Sequence, residues 1–129
     1  MDAKKLGTIP LFAGLPKKER EQVARWADQI DVAAGHALLT QGRFAHEFFL
    51  ILDGTVEVTK DGAHLADLGP GDFFGEIALV EHERRSATVV TTSPVTAMVM
   101  HSRDFDEMRS HLPHVAEKVH DAIRERLAR

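Results

Sequence analysis

Apolar positions along this chain change their spacing twice. Val23, Trp26, Ala27 and Ile30 recur at i, i+3, i+4 and i+7, which is one face of a helix. Leu15-Pro16 supplies a start, because proline at a first helical position gives up no needed hydrogen bond. The pattern predicts a helical segment within residues 1–30, with Trp26 in its core face and Leu11 and Phe12 packed beside it. From about Asp31 to His101 short runs are broken by turn residues: Ala37 to Leu39 before Gln41-Gly42, and Glu47 to Leu52 before Asp53-Gly54. Thr55 to Thr59 alternates with period two, and Lys60-Asp61-Gly62-Ala63 then predicts a hairpin, since Asp-Gly tolerates positive φ. Leu65 and Leu68 carry the pattern on to Gly69-Pro70-Gly71-Asp72. Strands are predicted over Ser86–Thr92 and, after Pro94, over Val95–Met100. Many short strands joined by turns argue for an antiparallel sandwich or jelly roll.

Helical spacing returns at Ser102, a candidate N-cap before Asp104-Phe105, with acidic residues placed to favour a first turn. Phe105, Met108 and Leu112 share a face; Pro113 separates a second helix, from about His114 to Arg129, striped by Val115, Val119, Ala122, Ile123 and Leu127. That stripe fits docking on the β body, and it fits equally a homodimer seam or a moving lid.

The 129 residues (14.3 kDa) are enough for one domain with a real core. The expected division is 1–30 helical, 31–101 β and 102–129 helical. Residues 1–30 carry six positive and four negative side chains (+2), residues 31–80 two and eight (−6), and residues 81–129 eight and eight (0), summing to −4. An acidic chain lacks the basic face that nucleic-acid binding requires, so no nucleic-acid partner is expected for this chain alone. There is no Cys, which excludes disulfides, thiolate metal sites and a thiol nucleophile. The longest apolar runs, such as Phe48 to Leu52, are too short to cross a membrane, and no apolar signal core opens the chain. A cytoplasmic protein is expected.

The chemistry concentrates in Phe73-Phe74-Gly75-Glu76-Ile77-Ala78-Leu79 and, five residues on, Arg85-Ser86-Ala87-Thr88-Val89. Gly71 and Gly75 let backbone approach a ligand closely. Ile77 to Leu79 can form one helical turn whose first N–H groups suit an anion. Glu76 can accept from a vicinal hydroxyl, and Arg85 can fork onto phosphate oxygens. A plain Glu–Arg ion pair beside a turn would account for each residue taken singly.

The combined spacing resembles the phosphate-binding cassette of cyclic nucleotide-binding domains, matched at Phe74, Gly75, Glu76, Ile77, Ala78, Leu79, Arg85, Ser86, Ala87 and Thr88. The resemblance extends to Ile9–Leu15, Ala34-Gly35, Leu38-Leu39, Gln41-Gly42, Phe49–Val56 and Leu68–Asp72. It implies a mainly β fold, an eight-stranded antiparallel, jelly-roll-like β-roll with an N-terminal helix and two C-terminal helices. It implies that Arg85 holds the exocyclic cyclic phosphate, helped by backbone N–H groups near Ala78 and Ser86. Glu76 and the Gly75 backbone would bind the ribose 2′-hydroxyl, and Val58, Ala66 and Phe74 would line the pocket. Two departures stand out. Arg84 occupies a position where many members have proline, and strand alternation should turn it away from Arg85. In the catabolite activator branch a Thr caps the purine, and its position falls just past Arg129, while Arg126 falls where that branch has an Arg that would pair with Glu76. Ser86 favours cyclic AMP (cAMP) over cyclic GMP (cGMP) as ligand. No cofactor is implied, and the expected partner is the nucleotide, with either a homodimer through the C-terminal helix or an effector domain beyond it. The chain would be a stand-alone receptor or a piece of a longer regulator.

Three rival readings make different demands on the sequence. A cupin-type metal site would need converging ligands, and the eight His lack a His-x-His with a nearby Glu. A haem sensor would rest on His82 alone. A degenerate β-roll kept for protein contacts would not need Glu76 and Arg85. No nucleophile, general base or metal set accompanies the cassette, so no catalytic residue is assigned and the chain is expected not to be an enzyme.

Overall fold

The computed structural model describes residues 1–44, 46–75 and 84–127, with side chains followed through residue 122. Its elements run α1 (Ala3–Leu6), α2 (Pro10–Ala13), α3 (Lys17–Arg25), β1 (Asp28–Val32), β2 (Ala37–Leu39), β3 (Glu47–Asp53), β4 (Val56–Lys60), β5 (Ala63–Leu68), β6 (Phe73–Phe74), β7 (Thr88–Thr91), β8 (Val95–His101), α4 (Ser102–His111) and α5 (Pro113–Leu127). The chain divides into two compact units, residues 29–99 and residues 1–28 with 100–129.

The first unit is a β-roll of two four-stranded sheets, ordered β1-β8-β3-β6 and β2-β7-β4-β5. Phe49 and Ile51 of β3, Val95, Ala97 and Val99 of β8, and Phe74 face Leu39, Val56 and Val89 of the other sheet. Each of these side chains larger than Ala97 contributes about 1.5–3 kcal/mol by leaving water. The predicted hairpin forms between β4 and β5, and positive φ at both Asp61 (52°) and Gly62 (80°) gives the backbone of a type I′ turn. The pairing of Val58 with Ala66 and Thr59 with His64 leaves Leu65 as an extra residue, a β-bulge.

The second unit is helical. Leu6, Phe12, Val23, Phe105, Met108, Val115 and Val119 are buried. α4 ends where Pro113 removes an N–H, and α5 begins on that same proline. His114 of α5 hydrogen-bonds Glu19 of α3, and the His111 ring lies 5.9 Å from that of Trp26.

Three sequence expectations are corrected. α3 stops at Arg25, so Ile30 lies in β1, and Trp26 closes the helix half-buried instead of sitting in its core. Pro16 takes the N-cap position of α3, one residue earlier than expected. Ser102 is the first residue of α4, with His101 in the cap position and no side-chain cap bond.

Candidate functional site

Arg84 and Phe44 form an isolated antiparallel bridge just before β7. Side chains alternate along extended backbone, and here Arg84 is exposed while Arg85 is only 6% exposed. Main-chain bonds fix this segment: the Arg85 N–H donates to the Arg43 carbonyl at 2.6 Å, and the Gly42 N–H donates to the Arg85 carbonyl at 2.9 Å.

The Arg85 guanidinium is forked between two backbone carbonyls. Nη1 donates to Gly75 O at 2.6 Å and Nη2 to Glu47 O at 2.5 Å. Burial of a cation requires such bonds, each worth about 1.5–3 kcal/mol because one partner is charged. Both of these acceptors are neutral dipoles, and an anion offered to the same guanidinium adds the attraction of opposite charges.

Gly75 is demanded by this cradle. Its φ is +86°, and a Cβ there would lie 2.7 Å from Arg85 Nη1 and 2.8 Å from Glu47 O. The close approach expected of Gly75 toward a ligand is therefore also an approach toward Arg85. One residue back, Phe74 is buried in the core and stacks on its cross-strand partner Phe49, with centroids 5.0 Å apart and planes at 12°. It anchors the strand that delivers Gly75.

Val58 lies directly opposite Ala66 on β5 and Val89 on β7, so the three share the inner face of their sheet. Val89 is sealed in the core, while Val58 and Ala66 remain half-buried. The inner face thus runs from closed core to apolar surface that water still reaches. Ser86 is exposed and Ala87 half-buried, immediately before β7. Glu76, Ile77 and Ala78 lie outside the described residues, as does the predicted turn at Ile77 to Leu79. Arg126 falls within α5, but its side chain is likewise outside the described part.

A cavity of about 160 Å³ opens beside Arg85, lined by Leu38, Leu39, Arg43, Phe44 and Glu47 among others. Among the described residues, one group brings His, Asp and Glu atoms within 4.8 Å of one another: Glu57, His64 and Asp67 on the β4–β5 hairpin. The bulge at Leu65 turns His64 to their face, where Nδ1 lies 2.8 Å from Glu57 Oε2 and Nε2 lies 3.6 Å from Asp67 Oδ2. These are polar contacts among the half-buried Glu57 and the exposed His64 and Asp67. The sequence reading missed the parts that hold Arg85: the Glu47 and Arg43 carbonyls, the Gly42 amide and the Phe44 bridge. They are main-chain groups, which side-chain pattern does not announce.

The structure is a β-roll that holds a forked, buried arginine beside an apolar face. Residues 29–111 match the family described as the cyclic nucleotide-binding domain, and the chain belongs to that family. The chain is 34% identical over 112 residues to a cyclic nucleotide-gated potassium channel of Mesorhizobium japonicum, covering 87% of this chain and 31% of the channel. It superposes on a structure of the Thermus thermophilus catabolite activator protein with a TM-score of 0.81 at 28% identity, covering 92% of this chain and 58% of that one. Against a cAMP-binding acyltransferase from Mycobacterium smegmatis the TM-score is 0.79 at 33% identity, covering 98% of this chain and 40% of that one. The chain spans about a third or less of the length of the curated relatives it matches. Among the described residues no helix is long and apolar enough to cross a membrane.

Proposed function

We propose that this chain is a cyclic nucleotide sensor, a non-catalytic regulatory module whose preferred ligand is cAMP. The observation that carries the reading is the Arg85 cradle. A buried guanidinium sits on two carbonyls at the position where the family motif places the phosphate-binding arginine. An incoming cyclic phosphate takes Arg85 as its main partner, with backbone N–H groups near Ala78 and Ser86 in support. Glu76 and the Gly75 backbone take the ribose hydroxyl; Phe74, Ile77 and Ala87 frame the cassette; Val58 and Ala66 offer apolar surface to the rest of the ligand. Arg126 pairs with Glu76.

The cradle also gives the ligand a mechanical consequence. Phosphate oxygens compete with Gly75 O for the same guanidinium, so ligand capture changes the hold on the residue that begins the cassette. Repositioning of the helices from Ser102 onward is the output, passed to an effector or to a second copy. The preference for cAMP rests on Ser86 and on similarity to the cAMP-binding acyltransferase. Residues 1–129 act as one cyclic nucleotide-binding domain in the cytoplasm, and no cofactor is needed.

Calorimetric titration with cAMP and cGMP tests this reading. One site per chain, tighter for cAMP, is the expected result. Absence of binding to either nucleotide contradicts the function, and much tighter cGMP binding reverses the preference.

A further inference from the structure

We propose that Arg84 is a positioning residue for Arg85, acting by clasping the turn at Gly42–Phe44. The proposal rests on the reading of Arg85 as the phosphate-binding residue, and it concerns how that residue is held. The Arg84 guanidinium carbon lies 4.3 Å from the centroid of the Phe44 ring, and Nη1 donates to the Gly42 carbonyl at 2.9 Å. Gly42 is thereby gripped twice, because its N–H donates to the Arg85 carbonyl at 2.9 Å. Phe44 is 57% exposed, and a Phe left in water gains little by folding. The cation above its ring gives that exposed side chain a role.

The same turn is tethered from its other end. Gln41 Nε2 donates to Asp61 Oδ1 at 2.8 Å, the Asp61 N–H donates to Gln41 Oε1 at 2.9 Å, and the Gln41 N–H donates to Thr88 Oγ1 at 3.0 Å. Between these tethers and the clasp, Arg43 is held where its carbonyl receives the Arg85 amide at 2.6 Å. The acceptors of the Arg85 side chain come from two other places in the fold, Gly75 and Glu47. A shift of the Arg85 backbone by an ångström would break that fork. Bonds weaken steeply with distance and angle, so a loosened clasp is felt at the guanidinium.

A rival role for Arg84 is long-range attraction of the anion by a second positive charge. The two are separable, because attraction between exposed charges fades with salt whereas a clasp does not need the ligand at all. The experiment uses the full chain and the variants Arg84→Ala, Phe44→Ala and the double variant, each checked for a wild-type melting profile of the β-roll. In the ligand-free protein, amide exchange at Arg85 and Gly42 should speed up about tenfold relative to Val58 in both single variants. With cAMP as probe, each single variant should weaken binding about three- to tenfold, the scale of one exposed cation–π contact with a hydrogen bond. The double variant should be no weaker than the worse single one, at both low and high salt. Unchanged Arg85 exchange in Arg84→Ala overturns the proposal, as do additive losses or a loss that vanishes at high salt. If the wild type binds neither nucleotide, the proposed function fails while the exchange measurement still decides the clasp.

Discussion

Arg85 is a buried cation whose described side-chain acceptors are two main-chain oxygens, and this arrangement makes Gly75 its partner in a strict sense. Any side chain at position 75 meets two penalties. A φ of +86° costs an L-residue about 1–2 kcal/mol, and the added Cβ would press on Arg85 Nη1 and Glu47 O. Gly75→Ala should therefore lower unfolding stability by about 2 kcal/mol or more in urea denaturation, and weaken nucleotide binding in parallel. A variant with wild-type stability would show that the cradle does not rest on Gly75. The choice of Arg85 as the candidate phosphate-binding residue was legible in the spacing of its motif. Its carbonyl acceptors were not, since a carbonyl oxygen is common to every residue and only the fold chooses which ones converge.

At the scale of elements, legibility followed the strength of local rules. The β4–β5 hairpin was readable because Asp61-Gly62 is one of few pairs that accept positive φ at both central positions. Gly62→Ala should cost about 1 kcal/mol by the same left-handed strain, seen as a lower melting temperature. An unchanged melting temperature would mean that this turn does not set the register of the hairpin. By contrast, the end of α3 was misread. Val23, Trp26, Ala27 and Ile30 keep helical spacing, yet the chain turns to strand at Asp28. Four apolar residues across such a junction satisfy the helical template by accident, because a helix C-terminus and a following strand both bury side chains. The short helices α1 and α2, four residues each, are below the length at which any periodicity exists. Ser102 was a chemically good cap that the fold placed one residue too far inside α4.

For the whole molecule, the β unit and the helical unit divide the labour in the proposed function: Arg85 and its cradle belong to the first, and α4 and α5 to the second. A sensor requires that ligand on one changes the other. Saturation with cAMP should therefore alter amide exchange across Pro113–Leu127, beyond any change at Gly75 and Arg85. Identical protection in the two states would leave a binder without a switch. The −6 of residues 31–80 opposes an anionic ligand at long range. Salt screens that opposition beyond about 8 Å, so in the proposed function affinity comes from local donors, with Arg85 the main one.

The central claim is tested most directly by calorimetric titration of cAMP into the wild type, Arg85→Lys and Arg85→Ala, with circular dichroism confirming that each is folded. Hydrogen bonds to a charged group are worth about 1.5–3 kcal/mol each, so loss of a two-pronged phosphate contact should weaken binding a hundredfold or more. The account predicts one-to-one binding by the wild type, strongly reduced binding by Arg85→Lys, which keeps the charge without the fork, and no measurable heat with Arg85→Ala. Wild-type affinity in a folded Arg85→Ala variant would contradict it.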